Sequence, residues 1–214
     1  MTTRARVAIL ASGRGSNMAA LLAAMAHPAF PAQAVLVLSN RPDAGALDLA
    51  RAAGIRAVCV DDRPFGRDRA AHEASIQAAL VEANTEIVCL AGYMRLLTPL
   101  LVDCWAGRML NIHPSLLPAF PGLHTHARAL AAGVRLHGCT VHLVTAAMDE
   151  GPILAQAAVP VLPGDDADTL AARVLAQEHL LYPAALSAFA GMAPAAAASG
   201  ACLANPLPLA AGGP

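Results

Sequence analysis

Strand-like and helical patterns alternate along the first two thirds of the chain. Short apolar or alternating runs typical of buried strands cover residues 7–11, 34–38, 56–60, 87–91 and 109–113. Apolar residues at helical spacing cover 18–25, 44–53, 69–83 and 127–132. Strands that alternate with helices predict a mostly parallel sheet with right-handed crossover connections.

The pattern changes after Gly138. Apolar and polar residues alternate over 139–144, and a second extended run covers 153–161 after a turn at 148–152. Two strands this close in sequence must pair antiparallel, and Pro160 places the second at a sheet edge. The predicted fold is therefore α/β, a doubly wound and mostly parallel sheet with an antiparallel hairpin extension.

The end of the chain divides into a helix and a tail. Asp165 and Asp166 predict the N-cap of a helix that runs to about Leu181, where Pro183 interrupts it. Residues 193–214 are chiefly Ala, Pro and Gly without charge or periodicity, so we expect a mobile tail there. The length suits one domain, residues 1–190, followed by this tail.

Composition excludes several classes of function. The net charge is −1 with a pI near 6.7, which gives no general field for nucleic acid or an anionic membrane. The five cysteines form no C-x-x-C pair, and Cys59 and Cys89 lie in apolar runs, so we expect free core thiols in a reducing compartment. The apolar run after the N-terminal arginines is too short for a signal peptide. The expected location is the cytoplasm, without membrane contact.

A glycine loop, Ser12–Asn17, follows the first strand. Gly13 and Gly15 permit close approach of a ligand, and Ser16 or Asn17 can cap the helix that follows. Such a loop directs backbone N–H groups at a phosphate. A dinucleotide site would require glycine at Met18, and a Walker A lysine is also missing. The loop therefore favours a phosphomonoester, with a plain glycine turn as the alternative.

Asn111 and His113 lie two residues apart at the end of the fifth strand, so their side chains share one face. Pro114 ends the strand immediately after them. An amide can donate to an oxyanion and an imidazole can carry protons, which suits catalysis at the edge of an open sheet. The alternative is that both side chains satisfy loop backbone in the interior.

Other polar groups converge on the same predicted edge. Asp149, in the acidic turn, can orient the imidazole and favour its charged form. No serine or cysteine adjoins His113 as a nucleophile, so acyl transfer to an acceptor substrate fits best. Two alternatives remain open. One is a phospho-ligand-binding module, and the other is a metal-dependent hydrolase that uses His124, His126, His137 and His142.

Seven motifs occur in order along the domain. They are S-G-R-G-S-N at 12–17, A-G-Y-M-R at 91–95, L-N-I-H-P-S-L-L-P at 110–118, P-G-L-H-T-H at 121–126, H-G-C-T-V-H at 137–142, M-D-E-G-P at 148–152 and Q-E-H at 177–179. Together they resemble the folate-dependent phosphoribosylglycinamide formyltransferase family of purine biosynthesis. The resemblance extends over about residues 5–190.

The resemblance implies a set of site residues. Asn111, His113 and Asp149 match the catalytic residues. The residues that match contacts to the ribonucleotide are Gly13, Gly15, Ser16, Asn17, Met18, Gln177 and Glu178. The residues that match the folate pocket are Arg69, Met94, Arg95, Leu96, Leu97, Asn111, Thr145, Ala146, Ala147, Met148 and Asp149. The residues alone favour solvated surface charges over ligand contacts for Arg69 and Arg95.

The resemblance also implies substrates and organisation. The formyl donor is 10-formyltetrahydrofolate and the acceptor is the amine of 5-phosphoribosylglycinamide, without a metal. The phosphate-binding half would cover about residues 1–105 and the folate-binding and catalytic half about 106–190. A monomer or weak homodimer is expected. Another small phosphorylated amine as acceptor, or hydrolysis of formyltetrahydrofolate, is the alternative. Related tRNA-dependent transferases and hydrolases carry an additional domain, for which we expect no room here.

Overall fold

The computed structural model describes residues 4–191, in which seven strands form one sheet. The strands are β1 (Ala5–Leu10), β2 (Ala32–Ser39), β3 (Ala57–Cys59), β4 (Ile87–Leu90), β5 (Met109–His113), β6 (Leu136–Leu143) and β7 (Ile153–Pro160). Their order is β3-β2-β1-β4-β5-β6-β7. The first five strands pair parallel, whereas β6 pairs antiparallel to β5 and β7 antiparallel to β6. The predicted fold class is confirmed, and the predicted tail lies outside the described residues.

Helices cover both faces of the sheet. They are α1 (Ser16–Met25), α2 (Gly45–Ala52), α3 (Arg69–Glu82), α4 (Pro99–Cys104), α5 (Thr125–Ala131) and α6 (Ala167–Gly191). One core joins the sheet to α1, α2, α5 and α6, and a second joins its opposite face to α3 and α4. Because the central strands are buried on both faces, their sequences are apolar at nearly every position. Among residues 4–191, no helix is long and apolar enough to cross a membrane.

The last helix continues past the proline that was predicted to interrupt it. Pro183 lies inside α6, which ends at Gly191. Tyr182, just before the proline, and Leu186 and Phe189, after it, are all buried, so packing holds the helix through a position that lacks a backbone donor. The predicted N-cap is confirmed, because the Asp166 carboxylate accepts from the Thr169 N–H at 2.8 Å.

One local prediction is partly wrong, and one helix was missed. Cys89 and Cys139 are buried as expected of core thiols, but Cys104 and Cys59 are exposed, the latter because β3 is a three-residue strand at the edge of the sheet. Helix α4 was not predicted, because six residues are too few for a periodic signal. It begins at Pro99, which suits a first-turn position.

The parallel pairing brings three connecting segments to one edge of the sheet. The glycine loop follows β1, the β4 loop (Gly92–Leu97) follows β4, and residues 114–122 follow β5. Because β6 runs antiparallel to β5, the β6–β7 connection leaves β6 beside the start of β5, and it folds back so that Asp149 faces His113. Open α/β sheets bind their ligands at this edge, so the topology alone places a site there.

Candidate active site

Asn111, His113 and Asp149 lie together as the sequence predicted. Asn111 and His113 occupy the end of β5, and Asp149 lies in the connection between β6 and β7. The His113 Nδ1 is 3.5 Å from the Asp149 Oδ2, and both side chains are about nine-tenths buried. Asp149 has a φ of +58°, a conformation that aspartate tolerates, and its carboxylate also accepts from the Gly122 N–H at 2.8 Å. The carboxylate is therefore fixed from two sides.

Both ring nitrogens of His113 face oxygen acceptors. The Nε2 is 3.1 Å from the Phe120 carbonyl oxygen, and the Nδ1 faces Asp149. A neutral imidazole has one N–H donor, whereas a charged imidazolium has two. The two oxygens fix the orientation of the ring at the edge of the sheet. An imidazole placed there can donate to an oxyanion and carry a proton.

His142 holds the Asn111 amide. The two residues are opposite each other in the β5–β6 register, with the Asn111 Nδ2 3.1 Å from the His142 Nε2. The other nitrogen of His142 lies 2.9 Å from the Leu143 carbonyl, to which it must donate. Burial lowers the pKa of His142, which keeps the ring neutral although Asp149 acts in the opposite direction. A neutral ring leaves Nε2 free to accept from Asn111.

A buried network supports the loop after β5. The Thr140 hydroxyl donates to the Ser115 carbonyl at 2.7 Å and accepts from the Leu117 N–H at 3.0 Å. The Gln156 amide donates to the Leu117 carbonyl at 2.8 Å. These contacts fix the segment whose Phe120 carbonyl faces His113, so they orient the imidazole indirectly.

The glycine loop lines a cavity of about 160 Å³ with Ala91, Gly92 and Met94. Gly15 occupies the N-cap position of α1 with a φ of +81°, and no side chain caps this helix, so the predicted capping by Ser16 or Asn17 is wrong. The N-terminal N–H groups of α1 are thus left for a ligand. The side chain of Met18 is fully buried in the core, so only its backbone faces this end of the helix.

Asn17 is engaged instead with α6. Its amide donates to the Glu178 carboxylate at 2.6 Å, which joins the glycine loop to the last helix. Burial raises the pKa of Glu178, although the hydrogen bond from Asn17 opposes that rise. Gln177 precedes it and is half-buried. The predicted ribonucleotide contacts on α1 and α6 therefore lie side by side.

Apart from Asn111 on β5 and Arg69 at the start of α3, the predicted folate residues fall into two segments. Met94, Arg95 and Leu96 line a cavity of about 540 Å³ together with Gly66, Arg67 and Arg69. Arg69 Nη1 lies 3.5 Å from the Leu96 carbonyl oxygen, so the structure brings this arginine to the β4 loop. The second segment, residues 145–148, is exposed and precedes Asp149. Met94 lines both cavities, which makes them neighbours.

The metal alternative also named His124, His126 and His137. His126 and His137 stack edge to face at 5.2 Å, and Phe120 packs on His137 at 5.8 Å. His124 is exposed with a φ of +57°. In the part of the chain that the structure describes, no group of three or more His, Cys, Asp or Glu side chains could hold a metal ion.

His137 should make the protein sensitive to acid. Burial, aided by repulsion from His126, lowers its pKa to about 4 from an ordinary 6.5. Stability from a depressed pKa is present above pH 6.5 and is lost as the pH falls towards 4. As the pH falls from 6.5 to 4, the free energy of unfolding should decrease in both proteins. The decrease should be about 3 kcal/mol smaller in His137→Gln, because glutamine does not titrate. Denaturant unfolding at several pH values measures the difference, with the exposed His27→Gln as control. Parallel curves for wild type and His137→Gln would contradict the prediction.

Sequence reasoning missed the roles of His142, Thr140 and Gln156. All three act through strand register: Asn111 pairs with His142, His113 with Thr140, and Thr140 with Gln156. Alternation over 139–144 indicated which residues share a face but not which residue of β5 each one opposes. The available signal was H-x-x-x-x-H at 137–142 opposite N-x-H at 111–113. The sequence analysis assigned these histidines to a metal alternative and to a motif of the resemblance, without a role for His142 at Asn111.

Comparison with known proteins agrees with this geometry. Residues 5–186 match the formyl transferase family. The phosphoribosylglycinamide formyltransferase of Escherichia coli is 44% identical over 184 residues, which cover 86% of each chain. The corresponding protein of Bacillus subtilis is 36% identical, over 87% of this chain and 95% of its own. The chain belongs to the phosphoribosylglycinamide formyltransferase family. The resemblance found in the motifs is thereby confirmed.

Solved structures and longer relatives complete the comparison. A phosphoribosylglycinamide formyltransferase from Brucella melitensis has a TM-score of 0.84 at 58% identity, over 89% of this chain and 98% of its own. The bovine trifunctional purine biosynthetic protein adenosine-3 is 46% identical over 86% of this chain, which spans only 18% of that protein. Members of the family thus occur both as single units and within longer chains.

Proposed function

We propose that this formyltransferase family member transfers a formyl group from 10-formyltetrahydrofolate to the amine of 5-phosphoribosylglycinamide, as a step of purine synthesis. The observation that carries the proposal is the buried pairing of His113 with Asp149 beside Asn111. This pair lies at the same edge of the sheet as the glycine loop. An oxyanion donor, a proton carrier and a phosphate cradle are the parts that this reaction requires.

The proposed mechanism uses the acceptor amine as the nucleophile. The neutral amine attacks the formyl carbon, and the carbonyl oxygen becomes an oxyanion that Asn111 and charged His113 stabilise. The C–N bond to the folate then breaks as His113 gives its proton to the departing folate nitrogen, and the extra proton of the amine returns to His113. Asp149 orients the imidazole throughout. Because the substrate supplies the nucleophile, the protein forms no covalent intermediate.

The two cavities suggest how the substrates divide the site. The glycine loop, Gln177 and Glu178 would hold the ribonucleotide, whose phosphate suits the free N–H groups of α1. The β4 loop, Arg69 and residues 145–149 would hold the folate. Asn111 and His113 would then face the point where the amine meets the formyl group. A monomer or weak homodimer stays a prediction.

A two-substrate assay tests the function directly. We expect folate product to form only when both 10-formyltetrahydrofolate and 5-phosphoribosylglycinamide are present, with formylated ribonucleotide in equal amount. A formyltetrahydrofolate deformylase from Pseudomonas syringae shares the fold at 27% identity and a TM-score of 0.81. Formate release at the same rate without the acceptor would therefore overturn the proposal and favour hydrolysis.

Asp149→Asn should slow the reaction. Asparagine tolerates the positive φ and can still accept from Gly122, but it removes the carboxylate charge that faces His113. We expect kcat to fall by at least about tenfold, because the imidazole loses the group that orients it and attracts its N–H. Steady-state kinetics with both substrates measures the effect.

The matched control for Asp149→Asn is Glu150→Gln, which removes the neighbouring, exposed carboxylate. It should retain the wild-type kcat. An unchanged kcat in Asp149→Asn would mean that Asp149 serves only to form the turn.

A further inference from the structure

Four side chains from four separate segments form a closed hydrogen-bonded ring at the edge of the sheet. We call Ser12, Asn40, Asp62 and Arg95 the polar ring. The Ser12 hydroxyl donates to the Asn40 Oδ1 at 2.6 Å, and the Asn40 amide donates to the Asp62 Oδ2 at 2.8 Å. The Arg95 guanidinium donates to the same carboxylate oxygen at 2.7 Å. The Met94 N–H closes the ring by donating to the Ser12 hydroxyl at 2.8 Å.

The polar ring is largely withdrawn from solvent. Asn40 is 3% exposed, and the side chains of Asp62 and Arg95 are 17% and 18% exposed. Partial burial opposes ionisation of Asp62, but hydrogen bonds from Asn40 and Arg95 hold its pKa below the usual value. A charge-assisted pair that is shielded from water is stronger than an exposed one. The ring is therefore a fixed element and not a set of surface contacts.

The ring connects the two segments that the proposed function assigns to different substrates. Ser12 begins the glycine loop, and Met94 and Arg95 belong to the β4 loop. The Ser12 N–H also donates to the Gly92 carbonyl at 3.1 Å, which ties the two loops by backbone as well. The β4 loop contains no helix or strand of its own, so its position depends on such contacts.

We propose that the polar ring positions the β4 loop for folate binding and sets its distance from the glycine loop. Its members are positioning residues, because the ring acts on the substrates through the two loops. The inference rests on the proposed function. Arg95, whose charge is neutralised by Asp62, would thus serve the folate site by holding the loop in place.

The test compares two adjacent aspartates. Asp62→Asn removes the charge that binds Arg95, whereas Asp61→Asn removes the charge of an exposed pair with Arg63 one residue earlier. We expect Asp62→Asn to raise the KM for 10-formyltetrahydrofolate about tenfold, with kcat and the ribonucleotide KM within about twofold of wild type. Asp61→Asn should match wild type. Equal folate KM values for the two variants would overturn the proposal.

Rescue at Ser12 separates positioning from a general loss of structure. Ser12→Ala breaks the ring where the two loops meet, so we expect weaker binding of both substrates. Ser12→Thr retains the hydroxyl and should restore folate binding. In the Ser12→Ala background, Asp62→Asn should add little further loss, because the ring acts as a unit. Losses of folate affinity that add in the Ser12→Ala/Asp62→Asn double variant would contradict the proposal. A lowered Tm in Asp62→Asn with equal weakening of both ligands would also contradict it, because it would show a merely structural role.

Direct binding keeps this test independent of the proposed reaction. Isothermal titration with tetrahydrofolate, the expected product, requires no turnover. If wild type binds tetrahydrofolate but fails the two-substrate assay, the proposed function fails while the ring proposal is still judged by the Asp62→Asn affinity. An unchanged tetrahydrofolate affinity in Asp62→Asn would refute the ring proposal alone.

Discussion

His113→Ala and Asn111→Ala should each lower turnover by about 100-fold or more, because each removes a group that stabilises the transition state by several kcal/mol. Ground-state affinity for both substrates should change much less. His113 contacts Asp149 and the Phe120 carbonyl, and Asn111 contacts His142, so each substitution removes one defined donor from the edge of β5. Steady-state kinetics and isothermal titration measure the two effects separately.

The control for this pair is His124→Ala. It removes an exposed histidine from the same stretch of chain and should retain wild-type kcat. Buried His113 packs closely, so thermal unfolding of each variant is needed to show that the loss of rate exceeds the loss of folded protein. Wild-type turnover in either substituted enzyme would refute the assignment. A combined Asn111→Ala/His113→Ala loss smaller than the product of the single losses would show that the two groups act on one oxyanion.

The parts of the site that the sequence predicts are those carried by a single segment. Asn111 and His113 are two residues apart on one strand, and strand geometry alone places them on one face. The glycine loop was likewise recognisable because a strand, two glycines and a helix follow one another directly. Local spacing determines these features, so one sequence is enough to find them.

Contacts between distant segments could not be predicted in the same way. Asn17 and Glu178 are 161 positions apart, and their hydrogen bond requires α1 and α6 to pack side by side. The polar ring needs four segments at once, and the role of His142 depends on a register that alternation leaves undetermined. Pro183 shows the opposite effect, in which a strong local signal is overridden by tertiary packing of α6.

Gly15→Val should abolish effective use of the ribonucleotide while sparing the folate site. A Cβ at Gly15 would lie 2.9 Å from the Ala46 Cβ and 3.0 Å from the Ala46 Cα, and φ is +81°. A β-branched residue is strongly disfavoured at this φ, so the loop must move away from α2. The movement shifts the backbone N–H groups at the start of α1. We expect the KM for 5-phosphoribosylglycinamide to rise about 100-fold or more, as expected when several phosphate contacts are lost.

The same strain will destabilise the protein, so a control of similar stability is essential. Leu47→Ala removes a buried side chain from α2 and should cost about 2–5 kcal/mol without entering the glycine loop. If the loop binds the phosphate, Leu47→Ala retains the ribonucleotide KM and Gly15→Val does not, while tetrahydrofolate affinity stays near wild type in both. Equal weakening of both ligands in Gly15→Val would indicate general disruption. An unchanged ribonucleotide affinity would mean that the phosphate binds elsewhere, because the substitution must displace the loop at Gly15, where φ is positive and α2 lies in contact.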